Sequence, residues 1–152
     1  MTFYLIEPEV AGGWGDEFEI DHANDVVTRV HYEVADWLGD CIVTTSPVYL
    51  VLRETGRRMT EAGFTGFSLD DALVTASDQH HVFNPDGVLP DLVWLKVHGE
   101  PGVDDLGLAD RGTNLVVSQP VMDLFSQDGF NTGGHDIVSA EVWVRTAPTD
   151  LP

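Results

Sequence analysis

The chain has 152 residues, 43 % of them apolar, and sets 26 Asp plus Glu against only 7 Lys plus Arg, a formal charge of −19 at pH 7. That length predicts one domain over residues 1–152, and the apolar share is enough for a continuous interior, which excludes disorder of the whole chain. The charge argues against a nucleic acid or an anionic membrane surface as ligand, because both require a basic stripe. Cationic proteins are the natural partners of such a field. Cys41 is the single cysteine, so neither an internal disulfide nor a thiolate zinc cage can form within one chain. The opening MTFYLIEPEV lacks the basic region and apolar stretch of a secretory signal, and no run reaches membrane-span length; a cytoplasmic protein is expected.

In chain order, TFYLIE predicts a short strand buried on both faces. Residues 7–25 change character: AGGWG supplies a flexible backbone, and Glu7, Glu9, Asp16, Glu17, Glu19, Asp21 and Asp25 occur without a Lys or Arg. This reads as a long acidic loop presenting Trp14 to solvent, either merely solvated or an interaction element. Val26 to Val34 alternates as one strand, with Val27, Arg29, His31 and Glu33 on the wet face. From Cys41 the chain reads as strand then helix, the helix ending at Gly63 in a left-handed cap. Ser46-Pro47 could open that helix early, or Val48 to Leu52 could continue the strand.

Phe67 to Ala76 predicts a strand or a short irregular segment, and Asn84-Pro85-Asp86-Gly87 a turn. Leu92 to Val97 alternates as a strand. LGLADRGTNLVVS reads as a hairpin turning at Arg111-Gly112. Ser118 is a candidate cap for a second helix, with Pro120 in its first turn, Val121, Leu124 and Phe125 buried, and Gly129 as its stop. Ile137 to Val144 predicts a final strand with Val138, Ala140, Val142 and Val144 facing one way, and residues 146–152 a loose tail. The expected class is α+β: a mainly antiparallel or mixed sheet with two short covering helices.

Two stretches echo each other. YLVLRETGRRMTEAGFTG from Tyr49 and NLVVSQPVMDLFSQDGFNTG from Asn114 each run from an apolar strand into a short amphipathic helix, then Gly-Phe, then Thr and Gly. A strand-helix-strand unit used twice is one reading; features common to any strand-helix-turn unit are the other.

LVVSQPVMDLF, preceded by DDLGL, and LRETGRRMTEAGFTGFSL resemble segments of the small immunity proteins encoded beside bacterial polymorphic toxins. The matching positions are Leu115-Val116-Val117-Ser118 and Thr65-Gly66-Phe67, within a resemblance spanning about Asp40 to Val142. The first copy departs from the pattern, with Arg53 where the second has Ser118, and the paired CxxC elements that some relatives use for zinc are missing. The resemblance implies a protein that binds a toxin and is not itself an enzyme.

Chemistry-bearing motifs are otherwise sparse. GGWGDEF lacks the strand-to-helix setting and the lysine of a nucleotide cradle. Cys41, between Asp40 and Ile42, sits in surroundings that disfavour a thiolate. His80, His81, His98 and His135 have no chelating spacing, so neither a metal nor another cofactor is expected. Asp70-Asp71 and Asp104-Asp105 read as solvated turn residues before acid/base pairs. Arg53, Arg57 and Arg58 share one predicted helix with Glu54 and Glu61, where local pairing is expected. With the charge and the resemblance, these readings favour an immunity protein whose acidic surface occludes the basic active-site face of a nuclease, deaminase or ADP-ribosyltransferase toxin. The expected contact residues are Trp14, Asp16, Glu17, Glu19 and Asp21, with Asp70, Asp71, Asp104 and Asp105 as second choices. A small enzyme with a His/carboxylate pocket, or an acidic DNA mimic or adaptor, is the alternative.

Overall fold

The computed structural model describes residues 1–37, 39–45, 47–78, 80, 89–110, 114–128 and 139–144. The class is α+β as expected. Two four-stranded antiparallel sheets, each associated with one helix, enclose the main core. The first sheet has the order β6-β7-β10-β8, built from β6 (Ile42–Thr45), β7 (Val48–Leu52), β10 (Leu92–Val97) and β8 (Phe67–Asp70). The second has the order β11-β12-β1-β13, from β11 (Leu106–Ala109), β12 (Asn114–Ser118), β1 (Phe3–Glu7) and β13 (Ser139–Trp143). Helix α1 (Arg53–Glu61) follows β7 without a loop, and α2 (Gln119–Gln127) follows β12 in the same way.

The echo in the sequence is therefore a repeat in topology. In each unit an antiparallel hairpin (β6-β7, β11-β12) feeds a nine-residue helix. The chain then returns on the far side of one intervening strand, as β8 beyond β10 and β13 beyond β1. The intervening strand of the second unit comes from the N-terminus, so the second unit is permuted relative to the first. Equivalent hydrogen bonds mark both units: Leu52 N–H donates to Cys41 O at 2.9 Å and Ser118 N–H to Asp105 O at 2.8 Å. Likewise Arg53 N–H donates to Asp91 O at 2.8 Å and Gln119 N–H to Thr2 O at 2.9 Å. Leu52, not Arg53, is thus the structural counterpart of Ser118. One residue separates this from the alignment by eye, and in a strand one residue exchanges the two faces.

The run VYLVL is apolar throughout because the first sheet is buried on both sides. Tyr49 and Val51, with Val93 and Leu95, face the main core, whereas Val48 and Leu50, with Leu92 and Trp94, face a second one. That second core is closed by a small sheet of order β2-β5-β9: β2 (Gly12–Trp14), β5 (His31–Val34) and β9 (Leu73–Ala76), with β5 and β9 parallel. A two-stranded ribbon of β3 (Glu19–Asp21) and β4 (Val26–Arg29) completes the fold.

Several expectations need correction. Residues 7–25 are not one loop: Glu7 closes β1, and β2 and β3 lie within the segment. Gly12 lets β2 approach β5, since a Cβ there would lie 1.9 Å from Glu33 O. The single strand expected over Val26 to Val34 is two, divided at Val30, where the backbone leaves the ribbon and Val30 O accepts Leu73 N–H at 3.0 Å. Its faces differ too: His31 is buried, while Val26 is 51 % exposed. Strand β1 buries only Ile6 fully, its first three residues being half-buried. Phe67 to Ala76 is also two strands, each in a different sheet. Ser118 occupies the N-cap position of α2 but makes no side-chain cap bond; its hydroxyl donates to Asp105 Oδ1 at 2.8 Å. Gly63 adopts φ +76° just past α1, as its cap role requires. In the final strand Val142 and Val144 are exposed. The expected turns at residues 84–87 and 111–112, Gly129, Val138 and the tail 146–152 lie outside the described residues.

Candidate functional site

All five cations among the described residues are engaged by the chain's own carboxylates. Arg29 pairs with Glu17 at 3.1 Å, Arg53 with Asp91 at 3.1 Å, Arg57 with Glu54 and Glu61, Arg58 with Asp128, and Lys96 with Asp70 at 2.9 Å. The local pairing expected within α1 is therefore present for Arg57, whose guanidinium holds the Glu54 carboxyl below its ordinary range by hydrogen bonding. Arg58 instead crosses to Asp128 at the end of α2, where Thr55 Oγ1 also donates to Asp128 Oδ2 at 2.8 Å. The repeat's two helices are joined by an acid of one and a cation of the other.

With these cations paired, several acids around the small sheet and the ribbon carry no ion pair among the described residues, Asp16, Glu19, Glu33, Asp36 and Asp78 included. The parallel strands β5 and β9 end side by side, and Ala35 and Asp36 N–H both donate to Ala11 O, at 2.8 and 3.1 Å. The chain exits on either side of a cleft of about 590 Å³ between Gly12-Gly13, Glu33, Asp36 and Ser77-Asp78. Glu33, Asp36 and Asp78 surround this opening, and no Lys or Arg among the described residues lines it. Sequence reading did not single out these three acids, because only the pairing of β2 and β9 with β5 brings them together.

The predicted contact segment begins beside this cleft. Trp14 is half-buried, not displayed: its ring stacks on Phe18 with centroids 4.1 Å apart and meets the edge of the buried Tyr32 at 6.5 Å. The exposed position expected for it is thus not what the fold provides. The turn that follows is pinned by His31, whose Nδ1 accepts Glu17 N–H at 3.0 Å while Nε2 bonds Thr75 Oγ1 at 2.8 Å. The ring leaves no room for a side chain at Gly15, where a Cβ would lie 2.2 Å from it. Asp16 and Glu17 are exposed on this turn and Glu19 on the ribbon. Asp21 accepts from Asn24 Nδ2 at 2.8 Å and Ala23 N–H at 3.0 Å, closing the ribbon; the Asn24 side chain is the main cause holding its carboxyl below the ordinary range.

The second-choice acids are placed elsewhere. Asp70 ends β8 beneath Lys96, whose hydrogen bond depresses its pKa, and Asp71 is exposed beside it. Asp104 accepts Glu100 N–H at 2.7 Å. Asp105 accepts from Ser118 Oγ, from Thr65 N–H at 2.9 Å and from Thr65 Oγ1 at 3.3 Å. These last two acids organise turns, as structural residues do. They do not join the cluster around the cleft.

Deeper in, Glu9 and Asp40 are both buried, with Asp40 N–H donating to Glu9 Oε1 at 3.3 Å. Ala11 N–H donates to the Tyr32 hydroxyl at 3.0 Å, and burial raises that phenol's pKa, with the Glu9 charge adding to the rise. Cys41 is buried, with its thiol 3.6 Å from Phe125 O. Among the described residues no three His, Cys, Asp or Glu side chains gather as metal ligands; His81 and His135 lie outside them. No helix among the described residues is long and apolar enough to cross a membrane. Compared with known proteins, the chain matches no family model and no curated sequence.

Proposed function

We propose that this chain is a toxin-neutralising immunity protein, acting in the cytoplasm by docking its acidic face on the basic, substrate-binding face of a cognate toxin. One observation carries the reading: every Lys and Arg among the described residues is already paired, so acids such as Asp16, Glu19, Glu33, Asp36 and Asp78 have no described cation left to neutralise them. A nuclease, deaminase or ADP-ribosyltransferase that binds a polyanionic substrate offers the complementary surface. Association would be accelerated by long-range attraction, and retention would depend on a few desolvated anchors at the centre of the contact. On this reading the chain catalyses nothing and needs no cofactor. Asp16, Glu19 and Asp21, extended by Glu33, Asp36 and Asp78, would meet the cations that otherwise hold substrate phosphate, with Glu17 joining them only by giving up Arg29.

The neighbouring gene provides the test. The product encoded immediately upstream, expressed alone, should arrest growth of a bacterial host, and coexpression of this chain should restore it. A harmless upstream product, or arrest that this chain leaves untouched, overturns the proposal.

A further inference from the structure

A second cavity of about 450 Å³ lies where the ribbon, the start of β7 and the end of β10 meet. Strand β7 begins at Val48, opposite the end of β10, so Lys96 to His98 run on beyond its last cross-strand pair, Tyr49 with Leu95. The space is walled by Tyr49, Trp94, Val97 and Leu108, with Val26 and Val27 of β4 forming one lip. Its volume is that of an ordinary ligand pocket, and it sits at a junction between structural units, where such pockets concentrate. The lip is apolar and open: Val26 is 51 % exposed although it adjoins the buried Val48 and Trp94 across the cavity.

The charges at the rim select the sign of the occupant. Asp25 stands on the rim in a left-handed conformation, φ 53°, at the ribbon turn. Among the described residues Lys96 is the single Lys or Arg in the lining, and it is committed twice: its ammonium bonds Asp70 at 2.9 Å and lies 4.5 Å from the Trp94 ring centroid. The cavity therefore combines an aromatic and aliphatic floor with one rim carboxylate, Asp25, that remains once Lys96 is held by Asp70. An acidic protein needs such a place to hold a partner, since exposed ion pairs speed encounter but contribute little to retention.

We propose that this cavity receives an aromatic side chain flanked by basic residues, presented by the cationic partner; the inference rests on the toxin-binding reading and locates its apolar anchor. The aromatic ring lies against Val48 and Trp94 under the Val26-Val27 lip, on the face of the sheet opposite Tyr49, and its cationic neighbour faces Asp25.

Tryptamine, indole and indole-3-acetate, titrated into the isotope-labelled full chain and followed by backbone amide shifts, separate the requirements. Tryptamine should give saturable shifts confined to Val26, Val27, Val97 and Leu108, with an affinity about tenfold above that of indole-3-acetate. Val26→Lys, at an exposed position, should reverse that order, and Ser68→Trp, which fills the cavity from its edge, should abolish binding while the melting temperature is retained. Equal binding of amine and acid, shifts elsewhere, or tryptamine binding undiminished in a folded Ser68→Trp overturns the pocket. The same two variants are then assayed for growth rescue. Unimpaired rescue by both overturns the anchor role while the immunity reading stands; absence of rescue by the unaltered chain removes the immunity reading and with it the partner named here.

Discussion

Asp105→Ala should unfold the protein more readily than any other single removal of an exposed or half-exposed acid. The carboxylate accepts three hydrogen bonds, from Ser118 Oγ at 2.8 Å, Thr65 N–H at 2.9 Å and Thr65 Oγ1 at 3.3 Å, so it ties the start of α2 to the segment after α1. Bonds to an ionised acceptor contribute about 1.5–3 kcal/mol each when desolvated, and Asp105 is only half-buried, so about 1 kcal/mol each is appropriate. The total is roughly 3 kcal/mol, a fall in Tm of roughly 6–12 °C for a domain of this size. Ser118 is buried and its hydroxyl would lose the Asp105 acceptor, which adds to the cost. Ser118→Ala removes a single bond and should cost about 1 kcal/mol; the double variant should show coupling of similar size. Urea titrations of the four proteins measure all of these. A loss below about 0.5 kcal/mol for Asp105→Ala, the range of an ordinary surface substitution, would refute the clasp and return Asp105 to the list of free contact acids.

Trp14→Ala should cost about 2 kcal/mol of stability, less than a fully buried Trp because the ring is half-exposed, and a melt that does not move would restore the displayed-anchor reading. Gly15→Ala should displace the His31 ring and free the Glu17 amide, seen as faster hydrogen exchange at Glu17; unchanged protection would contradict the packing. Partner association should slow steeply with added salt while dissociation changes little, as stopped-flow rates would report; a salt-independent rate removes the steering role of the acidic face. Because the Lys96 hydrogen bond depresses the folded-state pKa of Asp70, their contribution is fully present above the ordinary carboxylate value and is lost as pH falls from there through the lowered folded-state value. The stability deficit of Lys96→Met should therefore shrink on acidification, and a deficit constant down to pH values well below 3.8 would show that the pair is not its source.

What the sequence disclosed depended on where the information lay. The bounds of β10 and the stripe Val121, Leu124, Phe125 were legible, because alternation and helical spacing record which side faces the core, whereas the break from β7 into α1 stayed open between Ser46-Pro47 and the end of VYLVL, an apolar run without alternation. Strands β2 and β3 were not, since three residues carry too little periodicity, and what holds β2 is the close approach allowed by Gly12. His31 reads as a polar residue on a wet face until the chain folds back and supplies Glu17 N–H and Thr75 to its two nitrogens. The acids of the cleft were missed for a related reason. Glu33, Asp36 and Asp78 come from strand ends brought together by a parallel pairing, and no local pattern encodes that pairing. Ser118 was recognisable as the residue before a helix, but whether its hydroxyl would turn to the helix or to Asp105 depended on a tertiary neighbour.

The repeat also explains why the candidate surfaces lie where they do. Its two units obey one constraint, a hairpin and a helix closing on a shared core, and residues such as Met59 and Phe125 occupy equivalent turns of α1 and α2 within it. A surface made by that constraint would be presented twice. The outer faces of the two sheets are treated differently: β2, β5 and β9 cover the first, whereas in the second Gly102, at φ 82°, lies against Trp143, a Cβ there coming within 2.8 Å of the ring. The acidic cleft is lined by β2, β5 and the end of β9, outside the repeated units, whereas the Tyr49–Trp94 cavity takes its walls from β7, β10 and β11 and only its lip from β4. Strand β1, filling the position of β10 from the N-terminal side, leads directly into that added layer. The repeated units therefore supply a scaffold, and the cluster of Glu33, Asp36 and Asp78 belongs to the layer that breaks their symmetry.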